Sequence, residues 1–111
     1  MNDAYFDRSH LPLFGTVAKG SPALADRFFA YYGAVFADGE LSARMKSLTA
    51  LAVAHVVQCP YCIDAYTSDS LEKGADLPQM TEAVHVATAI RGGASLVHGI
   101  QMLDQVRKSA M

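Results

Sequence analysis

The stretch KSLTALAVAHVVQCPYCIDAYTSDSLEKGA, residues 46–75, decides the fold of this chain. Its first part places side chains at helical spacing on one stripe, formed by Leu48, Leu51, Ala52, His55 and Val56. Pro60 interrupts this helix, because it lacks an amide proton and disfavours helical geometry at Cys59. A further helix is predicted from Cys62 to Lys73, ending at Gly74. The stretch therefore predicts two helices joined at a Cys-Pro-Tyr-Cys turn.

Helices are also predicted on both sides of this stretch. Ser21-Pro22 is a typical helix start, and Asp38-Gly39 ends that helix. The helix that leads to the cysteines begins near Leu41-Ser42. Leu77-Pro78 opens the last helix, which Gly92-Gly93 kinks or breaks before it continues to the C-terminus. Because no segment alternates apolar and polar residues over strand lengths, the predicted fold is all-α, a bundle of about five helices.

The organisation of the chain is predicted to be one domain, residues 1–111, since neither a repeat nor a linker-like stretch is present. Residues 1–20 are expected to form an irregular arm, because Leu11-Pro12 favours an extended or turn conformation and two glycines follow. Several apolar side chains in the arm indicate that it packs on the rest of the molecule: Tyr5, Phe6, Leu11, Leu13 and Phe14.

Composition predicts the partners. The sequence is 51% hydrophobic and 18% charged, which leaves little polar sequence to cover a small monomer, so we expect a homo-oligomer. The net charge is −2 and basic residues do not cluster, which argues against nucleic acid and anionic membranes as partners.

The most apolar run, Leu48–Val57, is too short to span a bilayer. The N-terminus does not resemble a secretory signal, so a cytoplasmic location is predicted.

The chemistry of the chain is predicted to lie in its two cysteines, Cys59 and Cys62. A disulfide across so short a spacer closes almost no loop, so the pair is more naturally catalytic or metal-binding. At a helix start, free amides and the helix dipole stabilise a thiolate. One thiol can then attack an oxidant or a substrate disulfide, and the second can resolve the product. We expect Cys59 to attack and Cys62, one turn inside the helix, to resolve.

Other interpretations of the pair stay open. A zinc site could use Cys59, Cys62 and His55, although a structural zinc site usually has four ligands. Two inert core cysteines are a further possibility. His55, four residues before Cys59, could accept the thiol proton, or it could be a half-buried histidine bonded to a backbone carbonyl. Of the other histidines, His85 and His98 fall in the last helix, and His10 is expected to be exposed in the arm.

From about Ala43 to Gly74, and again at TEAVHVATAIRGGAS, the sequence resembles the carboxymuconolactone decarboxylase and alkyl hydroperoxidase D superfamily. The first twenty residues and YYGAVFADG are similar to its peroxidase-like subgroup associated with arsenosugar biosynthesis. The resemblance implies an all-helical fold that assembles into trimers or hexamers. It also implies peroxidase or disulfide reductase chemistry at the Cys-x-x-Cys pair, with a peroxide or disulfide as substrate, a thiol as reductant and no cofactor.

The sequence departs from this superfamily at two positions that matter chemically. In its best-understood branch, a glutamate twelve residues before the first cysteine and a histidine four after the second relay protons to the thiols. Here these positions are Ser47 and Tyr66, which do not titrate near neutral pH. Tyr66 could still donate a hydrogen bond to a thiolate, and His55 could supply the base. The loss of both relay groups also motivates a non-enzymatic accessory or ligand-binding protein on the same fold.

Overall fold

The structure is a computed structural model that describes residues 8–110. Within them the chain is helical almost throughout and contains no strand, which confirms the predicted all-α class. Two short 3₁₀ helices, Arg8–Leu13 and Ala18–Gly20, flank a single α-helical turn in the N-terminal segment. The α-helices are α1 (Phe14–Val17), α2 (Pro22–Phe36), α3 (Ala43–Val56), α4 (Pro60–Glu72) and α5 (Leu77–Ser109).

The core lies where α3 packs against α4 and the first half of α5. Leu51 of α3, Ala75 of the α4–α5 turn and Met80 of α5 form a buried cluster. Leu48 and Tyr66 pack against this cluster. The core is small, and it positions the α3–α4 junction, where the two cysteines lie.

Local sequence fixes the ends of these helices. Ser42 caps α3 by accepting a hydrogen bond from the amide of Met45. Asp76 and Gln79 form a reciprocal capping box at the start of α5. Helix α4 ends where Gly74 adopts a positive φ of 87°, a backbone conformation that glycine reaches without steric cost. The helix boundaries predicted from caps and glycines are therefore confirmed to within a few residues.

Two expectations about the backbone differ from the structure. The N-terminal segment from Arg8 onward forms consecutive short helical turns rather than an irregular arm, and Arg8–Leu13 packs on α4. Tyr5 and Phe6 lie outside the described residues. The predicted break at Gly92-Gly93 is wrong, because α5 continues through both glycines as one helix of 33 residues. None of the helices in the described part is long and apolar enough to cross a membrane.

The α3–α4 junction is held by a left-handed residue that is not glycine. Gln58 has a φ of 58° and donates its amide to the carbonyl of His55, while the amide of Cys59 bonds to the carbonyl of Ala54. This is the Schellman pattern of helix termination, in which glycine is the preferred residue. The α5 side chain of Arg91 also donates to the carbonyl of Val56, at 2.6 Å. The direction of the chain as it reaches Cys59 is therefore fixed on both sides.

Replacing Gln58 with glycine is expected to raise the free energy of unfolding by about 1 kcal/mol, since glycine avoids the steric cost of the left-handed conformation. Denaturant titration measures the change. Gln58→Ala is the control: alanine keeps a Cβ, so it should not stabilise the protein. Equal stability of the glycine and glutamine proteins would contradict the assignment of strain to this residue.

Candidate active site

Cys59 takes part in both helix ends that meet at the junction. It is the residue after the left-handed Gln58, and it is also the N-cap of α4. Its carbonyl accepts from the amide of Ile63 at 2.9 Å, and its sulfur accepts from the amide of Cys62 at 3.2 Å. A helix N-terminal amide directed at a sulfur atom stabilises negative charge on that sulfur. Pro60 fits the first turn of α4, where a missing amide proton is not needed.

Cys62 lies one turn into α4, beside Cys59. The two sulfur atoms are 2.7 Å apart, and the structure holds both residues as free cysteines. Burial raises the pKa of the Cys62 thiol to about 11, and its hydrogen bond with Cys59 and the charge of Cys59 act in the same direction. Cys62 is therefore protonated at neutral pH. The sulfur atoms are close enough to form a disulfide with only a small shift of the side chains.

A cavity of about 460 Å³ is lined in part by both cysteines. Its other walls come from three parts of the chain, namely the N-terminal segment, α2 and α4: His10, Leu13, Val17, Tyr32, Tyr61, Ala65 and Tyr66. These walls are mainly apolar and aromatic. A second cavity, of about 440 Å³, lies between α2 and α3 and shares Cys62, Tyr32 and Tyr66 with the first. Cys59 lines only the first cavity, so among the described residues Cys62 is the cysteine common to both.

Tyr66, at the position of the superfamily histidine, belongs to an aromatic cluster between these cavities. Its hydroxyl is hydrogen-bonded to that of Tyr32 from α2, and its ring stacks on Phe36 at a centroid distance of 5.2 Å. Burial is the main cause that raises the pKa of Tyr66, and the bond with Tyr32 adds to it. Tyr66 therefore stays a neutral phenol that can share a hydrogen bond but does not accept a proton at neutral pH.

Ser47, at the position of the superfamily glutamate, is fully buried in a polar cluster. Its hydroxyl donates to a carboxylate oxygen of Asp69 at 2.7 Å and lies 3.1 Å from the hydroxyl of Ser70. Partial burial by itself raises the pKa of Asp69, but hydrogen bonds from Lys73 and Ser47 outweigh it and lower the pKa overall. Although position 47 lacks the superfamily glutamate, a carboxylate from α4, that of Asp69, lies beside it. It remains ionised near neutral pH, so it joins α3 to α4 without exchanging protons.

Replacing Ser47 with alanine is expected to lower the free energy of unfolding by about 1–2 kcal/mol, because it leaves buried partners unsatisfied. Exposed Ser68 on α4 offers the matched control, Ser68→Ala, which should change the free energy of unfolding very little.

The Asp69→Asn substitution tests the contribution of the Asp69 carboxylate charge to stability. The pKa of Asp69 is lowered from 3.8 on folding, so its stabilisation is fully present above that pH and is lost as the pH falls through the lower, folded value. Unfolding titrations from pH 2 to 7 should show the wild type and Asp69→Asn converging only in acid.

The structure places His55 on α3 with its Nδ1 atom 2.8 Å from the carbonyl oxygen of Leu51. The ring is half-buried, and within residues 8–110 its hydrogen bond goes to this carbonyl rather than to a cysteine. Because a carbonyl oxygen only accepts, Nδ1 donates this hydrogen bond, and Nε2 is the nitrogen that can accept a proton. For the metal interpretation, no three histidine, cysteine or acidic side chains within residues 8–110 lie close enough together to hold an ion.

Tyr32 and Asp69 have no role in the prediction from sequence, whereas His10 is one of the histidines considered there. Tyr32 had a weak signal, since a phenol on an apolar helix face needs a hydrogen-bond partner when it is buried. The sequence around Asp69 carries no signal of a role, because its charged neighbours indicate a solvent-exposed helix face. His10 was expected to be exposed, and it is; what the sequence did not reveal is that the exposed ring lines the cavity of the cysteines.

An all-helical fold with a Cys-x-x-Cys pair capping an inner helix defines the class of protein. The sequence model of the carboxymuconolactone decarboxylase family matches residues 22–105, and the chain belongs to this family. Uncharacterized protein 4 in the cox locus of Paracoccus denitrificans is 39% identical over 95 residues, which cover 83% of this chain and 86% of that protein.

Two solved structures share the fold over most of the chain. A protein of Methanobacterium thermoautotrophicum superposes with a TM-score of 0.74 and 28% identity, over 78% of this chain and 97% of its own. A carboxymuconolactone decarboxylase family protein of Legionella pneumophila superposes with a TM-score of 0.69 and 26% identity, over 94% and 97%. The family predicted from the sequence is confirmed, and its arsenosugar-associated subgroup stays a prediction.

Proposed function

We propose that the protein is a thiol-dependent oxidoreductase that reduces a peroxide or a small disulfide. The observation that carries the proposal is the unequal environment of two sulfur atoms in contact. Cys59 receives a helix N-terminal amide and faces the cavity, as an attacking thiolate requires. Cys62 is held as a thiol by its raised pKa, as suits a residue that reacts only after Cys59 is oxidised.

The reaction with a hydroperoxide proceeds in two steps. The Cys59 thiolate attacks one peroxide oxygen: an S–O bond forms, the O–O bond breaks, and the departing alkoxide is protonated to an alcohol. Cys62 then loses its proton and attacks the Cys59 sulfenic acid; an S–S bond forms and water leaves. The two thiols lose two electrons and the hydroperoxide gains two. A small dithiol reductant returns the disulfide to two thiols by exchange.

Around the cysteines, Tyr66 positions the aromatic wall of the cavity and shares a hydrogen bond through its phenol. We assign His55 a proton-handling part on the α3 side of Cys59, through the Nε2 atom that its bond to Leu51 leaves for that purpose. Decarboxylation of a lactone is a poor fit, since the lactone-decarboxylating members of the superfamily do not rely on a Cys-x-x-Cys pair. The cytoplasmic location stays a prediction; a reducing compartment would favour return to the dithiol.

The protein is also proposed to act as a homo-oligomer, a trimer or hexamer by resemblance. Its radius of gyration is 18.9 Å, whereas a compact chain of this length has about 13 Å. Its accessible surface is 8508 Å², whereas a compact monomer of this mass exposes about 6,000 Å². The difference exceeds the roughly 800 Å² that one partner buries in an ordinary interface. Many large apolar side chains are exposed in the single subunit, and most of them lie on α2 and α5.

A second candidate function is a ligand-binding accessory protein, which the largely apolar cavity and the neutral Tyr66 favour. An assay of the reduced protein with hydroperoxides and with small disulfides separates the two. Consumption of oxidant in proportion to enzyme, sustained by a dithiol, supports the oxidoreductase. Consumption no faster than in buffer, with a ligand retained in the cavity, supports the accessory protein.

A further inference from the structure

The second step of the proposed reaction needs a base. Cys62 must lose a proton before it can attack, and the side chains at the two relay positions do not accept one near neutral pH. Ser47 is a buried hydroxyl, and Tyr66 is a phenol hydrogen-bonded to Tyr32. Asp69 beside Ser47 is ionised, but its oxygens are occupied by Ser47 and Lys73. The base must therefore come from elsewhere on the cavity wall.

The N-terminal segment brings an imidazole to this wall. His10 lies in the 3₁₀ helix Arg8–Leu13, which packs on α4, and its ring lines the same cavity as Cys59 and Cys62. Leu13, one turn further along, lines the cavity too, so this segment forms part of the wall rather than passing at a distance. The ring is solvent-exposed, which lets it exchange protons with water.

The other titratable groups that face the cavity are Tyr32 from α2, Tyr61 and Tyr66 from α4, and the cysteines themselves. Tyrosine ordinarily titrates near pH 10, and histidine is the side chain that ordinarily titrates near pH 6.5. His55, His85 and His98 do not line this cavity. Among the described residues that line this cavity, His10 is therefore the only imidazole.

We propose that His10 accepts the proton of Cys62, directly or through one water, when Cys62 attacks oxidised Cys59. The inference rests on the proposed function. In the superfamily a histidine on the helix of the second cysteine transfers this proton. In this chain the inference assigns that transfer to a histidine of the N-terminal segment. His10 then returns the proton to the hydroxide that leaves Cys59, so that water is released and the imidazole ends neutral.

The experiment follows the second step separately from the first. Reduced protein is treated with one equivalent of cumene hydroperoxide, and mass spectrometry measures disulfide formation over time, with dimedone added to trap the Cys59 sulfenic acid. In His10→Gln we expect disulfide formation at pH 7 to slow by roughly tenfold or more, and the dimedone adduct to rise accordingly. The wild-type rate should rise with pH around the histidine range, and the variant should lack this rise. Free imidazole should restore part of the rate in His10→Ala.

The matched control is His85→Gln, an exposed histidine of α5 away from the cavity, which should keep the wild-type rate and pH profile. A His10→Gln protein with the wild-type rate and pH profile would overturn the inference. So would a slowed variant that keeps the pH profile and gains nothing from imidazole, because that result indicates a structural role. The Cys62→Ser protein tests the first step alone: failure to form any sulfenic acid would refute the proposed function, and this inference with it.

Discussion

Replacing Cys59 with serine is expected to abolish turnover, lowering the rate of peroxide or disulfide reduction by at least about a thousandfold. A serine hydroxyl in the same position does not ionise near neutral pH and has no sulfur to oxidise, so the first step is lost. Cys62→Ser should also stop sustained turnover, but it should leave one rapid reaction per subunit, because Cys59 can still be oxidised. The different behaviour of these two variants is the strongest consequence of the geometry.

Single-turnover and steady-state assays measure this difference. The control is Ser68→Ala, on the exposed side of α4, which should leave both assays unchanged. Circular dichroism should show the same helicity in all variants, since serine fills nearly the volume of cysteine. Turnover retained in both cysteine variants would refute the oxidoreductase. A rapid first reaction in Cys59→Ser but not in Cys62→Ser would keep the chemistry and reverse the two roles.

The helices were predictable because local signals suffice to define them. Ser42, Pro60, Asp76 and Gly74 act on neighbouring amides and carbonyls, so their effects are visible in sequence. The break predicted at Gly92-Gly93 was wrong because each glycine destabilises a helix by only about 1 kcal/mol relative to alanine. A helix as long as α5 can form despite this cost. The left-handed Gln58 was not predictable either, since the packing of two helices imposes it on a residue with no such preference.

Only those parts of the candidate site whose residues are close together in sequence were predictable. Cys59 and Cys62 are neighbours in sequence, and their placement at the start of α4 follows from Pro60. The partners that surround them are brought by tertiary packing: Tyr32 from α2, Asp69 against Ser47, and His10 from the N-terminal segment. Each of these has an ordinary sequence context, so no periodicity or spacing could have assigned it.

Replacing Leu96 with glutamate is expected to convert the proposed homo-oligomer to monomers at micromolar concentration, with a loss in melting temperature that depends on protein concentration. From Ile90 to Val106, α5 carries large apolar residues around most of its circumference, and all of them are exposed in the single subunit. A helix that is apolar on nearly all sides is normally buried. Leu96 has 82% of its surface exposed, and an unpaired carboxylate buried at this point would cost several kcal/mol. Light scattering and sedimentation measure the change in mass.

The matched control uses the same helix and the same charge. Gln105 lies nine residues after Leu96, half a turn around the helix axis, among the polar residues of α5. Gln105→Glu should therefore leave the mass unchanged, which separates a local effect at the apolar face from a general effect of added charge. The small core around Leu51 and Met80 gives a further reason to expect the loss of stability, since the isolated subunit has little else to hold α5 in place. A wild-type protein that sediments as a monomer would contradict the oligomer, and a Leu96→Glu protein of unchanged mass would place its interface elsewhere, on α2.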